Sequence, residues 1–177
     1  MDSLDLKIRP LQPPDSLHLK AAEGWLELGN HLAANDELEN IQAQLRVHPE
    51  VLRLRWYVYA RAKKWEMAGE IAKALIRMLP DSAFGYIQHA YTLHEMKRTK
   101  EAWDLLSPIV DKFPDNWTIP YNLSCYAAQM GQIEESEKWF KQAMKINEKA
   151  VKEKAIDDPD LEPLWEEMRG SRWKRLD

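Results

Sequence analysis

Five histidines, a single cysteine and two tight acidic clusters are the side chains through which this sequence could bind a metal or attack a substrate. No two of His18, His31, His48, His89 and His94 stand three or four residues apart, the spacing that turns two imidazoles of one helix towards one ion. The His94-Glu95 pair lacks the second histidine of a zinc protease. Cys125 would need a nearby base and a lowered pKa to act as a nucleophile, and a small packed thiol is the expected outcome. Glu134, Glu135 and Glu137, and likewise Asp157, Asp158 and Asp160, have neither the glycine nor the spread of about twelve residues that a calcium loop needs. Both clusters stand where helices start and supply the negative charge that a helix N-terminus favours, so capping explains them. Six glycines with no Gly-rich run leave no phosphate-cradling loop. The sequence thus points to no catalytic residue, no metal and no cofactor, and to a protein that is not an enzyme.

Composition narrows the partners. The chain has 177 residues, 45% hydrophobic and 31% charged, enough for one compact unit with a real core. With 25 Lys and Arg against 29 Asp and Glu the net charge is -4, which leaves no global positive field to hold nucleic acid. A lone cysteine forms neither an intramolecular disulfide nor a thiolate zinc cage, in keeping with a reducing compartment. Met1 to Asp15, with Asp2, Asp5 and three prolines, has neither the basic start nor the apolar run of a signal peptide. No uncharged apolar stretch reaches the ~18 residues of a bilayer-spanning helix. A soluble, cytoplasmic protein with no membrane, nucleic-acid or small-molecule partner is expected.

The elements that position everything else repeat. Ala34, Ala68, Ala102 and Ser136 follow one another at intervals of 34 residues, and so do Gly29, Lys63, Lys97 and Gly131, where a reversal between two helices would lie. Pro80 and Pro114 keep the same stride. A small-residue column runs Ala22, Trp56, Ala90, Ser124, broken only by the tryptophan, and a large-residue column runs Trp25, Tyr59, Leu93 before shrinking to Ala127. Each unit therefore reads as helix, short turn, helix, stop. Pro108 inside a second helix predicts a kink. Asp81-Ser82 and Asp115-Asn116 can cap first helices, and Asp160 the short helix carrying Leu161, Leu164, Trp165 and Met168.

These columns resemble the tetratricopeptide repeat (TPR), in which an aromatic, a Leu-small pair and a second aromatic on one helix precede a small residue, an aromatic and a closing proline on the next. In the third unit Tyr86, Ala90, Leu93, Ala102, Leu106 and Pro114 stand in those places. The fourth keeps Leu123, Ser124, Gly131, Phe140 and Ala143 but has Glu148 for the proline; the second keeps Tyr59, Ala68 and Pro80 around Trp56; the first has Arg46 in the proline slot and Pro49 three residues late. The resemblance implies an all-α fold, a right-handed α-solenoid of antiparallel helix pairs closed by a C-terminal capping helix. It divides the chain into an extended Pro-rich segment 1–14, four repeats at 15–48, 49–82, 83–116 and 117–150, and a cap with a basic tail at 151–177. The run from Asp157 to Trp165 is similar to the segment that closes many bacterial members, which suggests a bacterial source.

In such a solenoid the first helices line a concave groove. The register predicts a lining of Arg53, Tyr57 and Arg61, then Phe84, Ile87, Gln88, Tyr91 and His94, then Thr118, Tyr121, Asn122, Cys125 and Gln129. Tyr57, Tyr91 and Cys125 form one ladder at the 34-residue stride, and Ile87 and Tyr121 another. Tyrosines with arginines and amides suit recognition of protein. Some family members hold a chaperone's terminal carboxylate with a Lys/Asn/Arg clamp; Leu19 and Glu23 fill the slots where the first unit would need Lys and Asn, so the clamp does not carry over. The expected function is a protein-interaction module that binds a peptide or protein segment in the groove. A self-associating scaffold, such as a homodimer, formed through the capping helix or an exposed repeat face is the alternative, and RNA binding through Arg169, Arg172, Lys174 and Arg175 a distant third.

Overall fold

The computed structural model describes residues 9–173, and the side chains of that stretch as far as Arg169. Residues 1–8 of the Pro-rich segment, and Lys174 and Arg175 of the basic tail, lie outside the described residues, as does the side chain of Arg172. The described chain is all-α, with no strand: α1 (Asp15–Glu27), α2 (His31–Asn40), α3 (Pro49–Arg61), α4 (Trp65–Met78), α5 (Ala83–Glu95), α6 (Thr99–Leu106), α7 (Thr118–Gln129), α8 (Ile133–Ala155) and α9 (Glu162–Trp173). It forms two compact units, one ending at Lys64 and the other starting at Trp65, where length alone suggests one. Helix hairpins contact mainly their sequence neighbours, so contacts stay local and chain length does not set the number of units.

One left-handed residue follows each of the helices α1, α3, α5 and α7. Gly29, Lys63, Lys97 and Gly131 have φ of 78°, 54°, 63° and 74°. The following amide reaches back to a carbonyl five residues earlier: Asn30 to Trp25 at 2.8 Å, Lys64 to Tyr59 at 2.9 Å, Arg98 to Leu93 at 2.9 Å and Gln132 to Ala127 at 2.9 Å. This is the Schellman closure, which satisfies carbonyls that a helix end leaves over. The small-residue columns lie in the hairpin interiors. In the first unit Ala22 and Ala34 are fully buried, and in the second so are Ala68, Ala90, Ala102, Ser124 and Ser136. Serine replaces alanine in the last hairpin as a matched pair. The Ser124 hydroxyl donates to the Ser136 carbonyl and the Ser136 hydroxyl to the Ser124 carbonyl, each at 2.9 Å.

In the first unit Leu38, Ile41 and Val51 join the two alanines in the core. Buried Asp15, at the start of α1, accepts from the Gln42 backbone and side-chain amides, both at 2.7 Å, and so ties α1 to the exit of α2. Arg46, in the slot where a closing proline is usual, donates through Nε to the Ile41 carbonyl at 2.8 Å and pairs with Glu39. Hydrogen bonds end this hairpin in place of a ring. Pro49 then opens α3 as its first residue, where its missing N–H costs nothing.

In the second unit α4 packs on α5, α5 on α6, and α7 on both α6 and α8. A Cβ on Gly85 would meet the Ile76 amide nitrogen at 2.9 Å and the Leu75 carbonyl carbon at 3.2 Å, so α5 approaches the backbone of α4 directly. Ser82 caps α5 by accepting from the Phe84 amide, and Asn116 accepts from the Thr118 amide at the start of α7. Pro108 does not kink a continuous helix: α6 stops at Leu106 and a 3-10 stretch, Ser107–Lys112, replaces the remaining turns. The pyrrolidine ring removes the donor that α-helical spacing would need. With Glu148 at the proline slot, α8 bends at Asn147 (φ -152°, ψ 84°) and then continues to Ala155.

Left-handed lysines carry a steric cost of roughly 1–2 kcal/mol that glycine does not, partly offset by glycine's greater freedom when unfolded. Lys97→Gly is therefore expected to stabilise the protein by about 0.5–1 kcal/mol, and Gly131→Ala to destabilise it by about 1 kcal/mol. Gly85→Ala should lower stability by about 1–3 kcal/mol through the backbone clash. Urea unfolding followed by far-ultraviolet circular dichroism measures all three.

Candidate functional site

The inner face of the second unit is built by α5 and α7, and the chain itself covers part of it. Beyond α8 the backbone turns at exposed Ile156 and Asp157, and a three-residue 3-10 turn, Pro159–Leu161, packs on α7. Asp158 caps this turn by accepting from the Asp160 amide at 3.1 Å. Its other carboxylate oxygen accepts from the Tyr121 hydroxyl at 2.6 Å and lies 3.9 Å from the Cys125 sulfur. Asp160 accepts from His94 Nε2 at 3.1 Å, and its carbonyl from the Gln129 side-chain amide at 3.0 Å. His94 is held from behind, with Nδ1 3.0 Å from the Thr99 hydroxyl. Because a carboxylate only accepts, Nε2 carries the proton in this contact. Leu161 and Leu164 are fully buried and anchor the segment in the core.

The tyrosines and the cysteine of this face are held in their neutral forms. Burial, then the hydrogen bond to Asp158, pushes the Tyr121 hydroxyl far above its ordinary range. Burial does the same to Cys125, reinforced by Asp158 and Asp160, and to Tyr126. Tyr91 is pushed up to about 12, first by burial and then by Glu95, with Asp160 and Asp158 adding to it. A thiol raised in this way is no nucleophile. The Tyr121 ring is closed in by the Lys154 ammonium at 5.4 Å and by the edge of Trp117 at 5.8 Å. Among the described residues no three of His, Cys, Asp and Glu gather to hold a metal ion, and no helix is long and apolar enough to cross a membrane.

The expected lining therefore separates. Tyr121, Asn122, Cys125 and His94 do not line an open surface: they are buried, Tyr121 completely. The reason is the acidic turn laid over three of them. Gln129 stays at the rim and Tyr91 is about one-third exposed, its ring edge-on to Trp65 at 6.0 Å. Phe84, Ile87, Gln88 and Thr118 are half-buried, Ile87 against the core and Thr118 as the first residue of α7. In the first unit Arg53, Tyr57 and Arg61 are exposed on α3. The register does not show Asp158 and Asp160 as members of the site, nor Asp158 rather than Asp160 as the cap. One signal for them exists: from Asn116 to Ile133 there is no charged residue, the mark of a helix enclosed on all sides.

Tyr126 and Tyr121 make a test of this arrangement. The Tyr126 hydroxyl is buried with no hydrogen-bond partner among the described residues. Tyr126→Phe should thus leave stability unchanged or raise it by about 1 kcal/mol, whereas Tyr121→Phe, losing a bond to a carboxylate, should lower it by about 1.5–3 kcal/mol. The raised pKa values also fix the response to alkali. Unfolded Cys and Tyr release protons near 8.5 and 10 while the buried groups keep theirs, so stability is full below about pH 8 and falls as pH rises, by up to ~1.4 kcal/mol per pH unit for each group. Urea midpoints between pH 7 and pH 10.5 read this slope, and Tyr126→Phe should flatten it.

No family model matches the chain, nor does any curated protein. Solved structures do. Residues 41 to the end of MamA from Desulfovibrio magneticus RS-1 superpose with a TM-score of 0.65 at 17% identity, over 78% of this chain and 78% of that one. A crystal structure of MamA gives 0.66 at 16% identity over 78% and 81%, and another gives 0.63 at 13% identity over 88% and 94%. At these identities the likeness shows the fold, an all-α, TPR-like solenoid of helix pairs.

Proposed function

We propose that the protein is a non-enzymatic, cytoplasmic interaction module that binds a peptide or protein segment on the inner faces of its first helices. In this reading residues 15–150 are four TPR-like repeats, and residues 151–177 a cap of bacterial type with a basic tail. The observation that carries it is that the inner face of the second unit already holds a stretch of chain, Asp158–Leu161, by side-chain hydrogen bonds from α5 and α7. Tyr91 on α5 of that unit is exposed, and so, in the first unit, are Arg53, Tyr57 and Arg61 on α3. Tyrosine there offers rigid apolar area with a polar tip.

A second reading, self-association, is favoured by one feature. The start of α8 and α9 bound an open cleft with Trp103, Leu164 and Trp165 in its floor and Glu134, Glu137, Glu162 and Glu167 on its rim. Light scattering over a wide concentration range separates the readings, since a strict monomer removes the scaffold.

The first reading predicts that Tyr57→Ala and Tyr91→Ala together weaken capture of a partner from native lysate by about 2 kcal/mol, roughly thirtyfold, while Met67→Ala, exposed on α4, leaves it unchanged. Quantitative mass spectrometry of the captured proteins measures this. An unaltered partner list for the double variant overturns binding through these faces.

A further inference from the structure

The side chains that meet the acidic turn have one property in common. His94 Nε2, the Tyr121 hydroxyl, the Cys125 thiol and the Gln129 amide are all donors, and what they meet are the two aspartate carboxylates and one backbone carbonyl. Four side chains that all present their donor atoms to one segment favour a ligand rich in acceptors. Helices α5 and α7 carry no arginine or lysine, so the aspartates are held by the hydroxyl, amide and thiol donors and by the His94 imidazole rather than by a fixed cation. The flanks of the turn, Ile156, Asp157 and Pro159, are exposed, so the segment lies at the surface and is held by side chains and by Leu161 behind them.

Resting on the interaction reading above, we propose that the inner face of α5 and α7 is a receptor for extended acidic segments. Its ligand carries two carboxylates two residues apart, with an aliphatic residue directly behind the second. In this structure Asp158, Asp160 and Leu161 fill that role in cis, and a partner protein's acidic segment replaces them. Tyr91, half-buried beside the turn and sensing both aspartates, extends the face for a longer ligand. Attachment in cis gives the internal segment a high effective concentration, so the face is closed to weak ligands and open to acidic segments that offer more contact.

The test uses the full chain and a fluorescein-labelled peptide with the sequence of residues 156–166, read by fluorescence anisotropy. Asp158→Asn with Asp160→Asn weakens the internal ligand while keeping an asparagine able to cap the turn. This double variant is expected to bind the peptide about tenfold or more tightly than the unaltered chain. Adding Tyr121→Phe and Gln129→Ala should abolish the gain, and a peptide with asparagine for its aspartates should not bind. No gain in the double variant, or equal binding of the asparagine peptide, overturns the proposal. If circular dichroism shows the double variant unfolded, Asp160→Asn alone takes its place with the same expected order. Unfolding of that variant too overturns the proposal, since a segment the fold cannot release is a cap and not a ligand. A concentration-dependent dimer of the unaltered chain that the peptide dissolves would assign the face to a second copy and overturn a foreign partner. Failure of the peptide with continued loss of partners in the Tyr57/Tyr91 variant would remove acid selectivity and leave the interaction module standing.

Discussion

A helix with no charge on any side has to be enclosed on every side, and α7 imposes that constraint on the second unit. Residues Ile119 to Ala128 are buried without a break. Helix α8 takes one flank, α6 and α5 take others, and the inner side is left for the chain beyond α8. Enclosure also makes the helix's own polar groups consequential, because an unpaired buried donor costs about 1–3 kcal/mol. Ser124 answers with Ser136, Tyr121 with Asp158, and only the Tyr126 hydroxyl among these is left without a partner in the described residues.

The acidic turn is matched to that task. One aspartate, Asp158, ends its own turn and receives the Tyr121 hydroxyl, so a single residue joins local geometry to tertiary contact. Asp160 reaches α5 through His94 and α7 through Gln129, bridging two helices that belong to successive hairpins. Burial of Leu161 and Leu164 contributes roughly 2 kcal/mol each and places these polar contacts, rather than the reverse. The bend of α8 at Asn147 belongs to the same design: without a proline at 148 the helix runs on, and Val151 and Ala155 bring the chain back over the core before the turn begins.

Much of this was legible in the residues and some was not, for a physical reason. The helix ends were readable because their cause is local: two small columns recur at a fixed stride, and Gly29 and Gly131 mark a left-handed residue that Lys63 and Lys97 adopt at the same stride although their side chains disfavour it. The paired columns were readable because close helix contact tolerates only small side chains, as full burial of Ala34, Ala68, Ala102 and Ser136 shows. The cover on α7 was not, since a three-residue 3-10 turn has no periodicity and its bond to Tyr121 spans 37 positions. Register says which way a side chain faces; it does not say what comes to lie on it. Pro108 is a smaller instance, where the ring was visible but the 3-10 stretch it induces depends on the neighbours.

Position in the ladder and exposure are thus separate quantities, and the Tyr57, Tyr91, Cys125 column displays the difference. Tyr57 is 39% exposed, Tyr91 36% and Cys125 4%. The side chain shrinks where the cover arrives, because the Cys125 sulfur already lies 3.9 Å from the Asp158 carboxylate and a phenol ring would claim the volume of the turn. A thiol there is small enough to admit the segment and still offers a weak donor to it. The cysteine is therefore a buried member of the core rather than a nucleophile. It is the position at which the tyrosine column gives way to a side chain small enough for the turn beyond α8 to pack on α7.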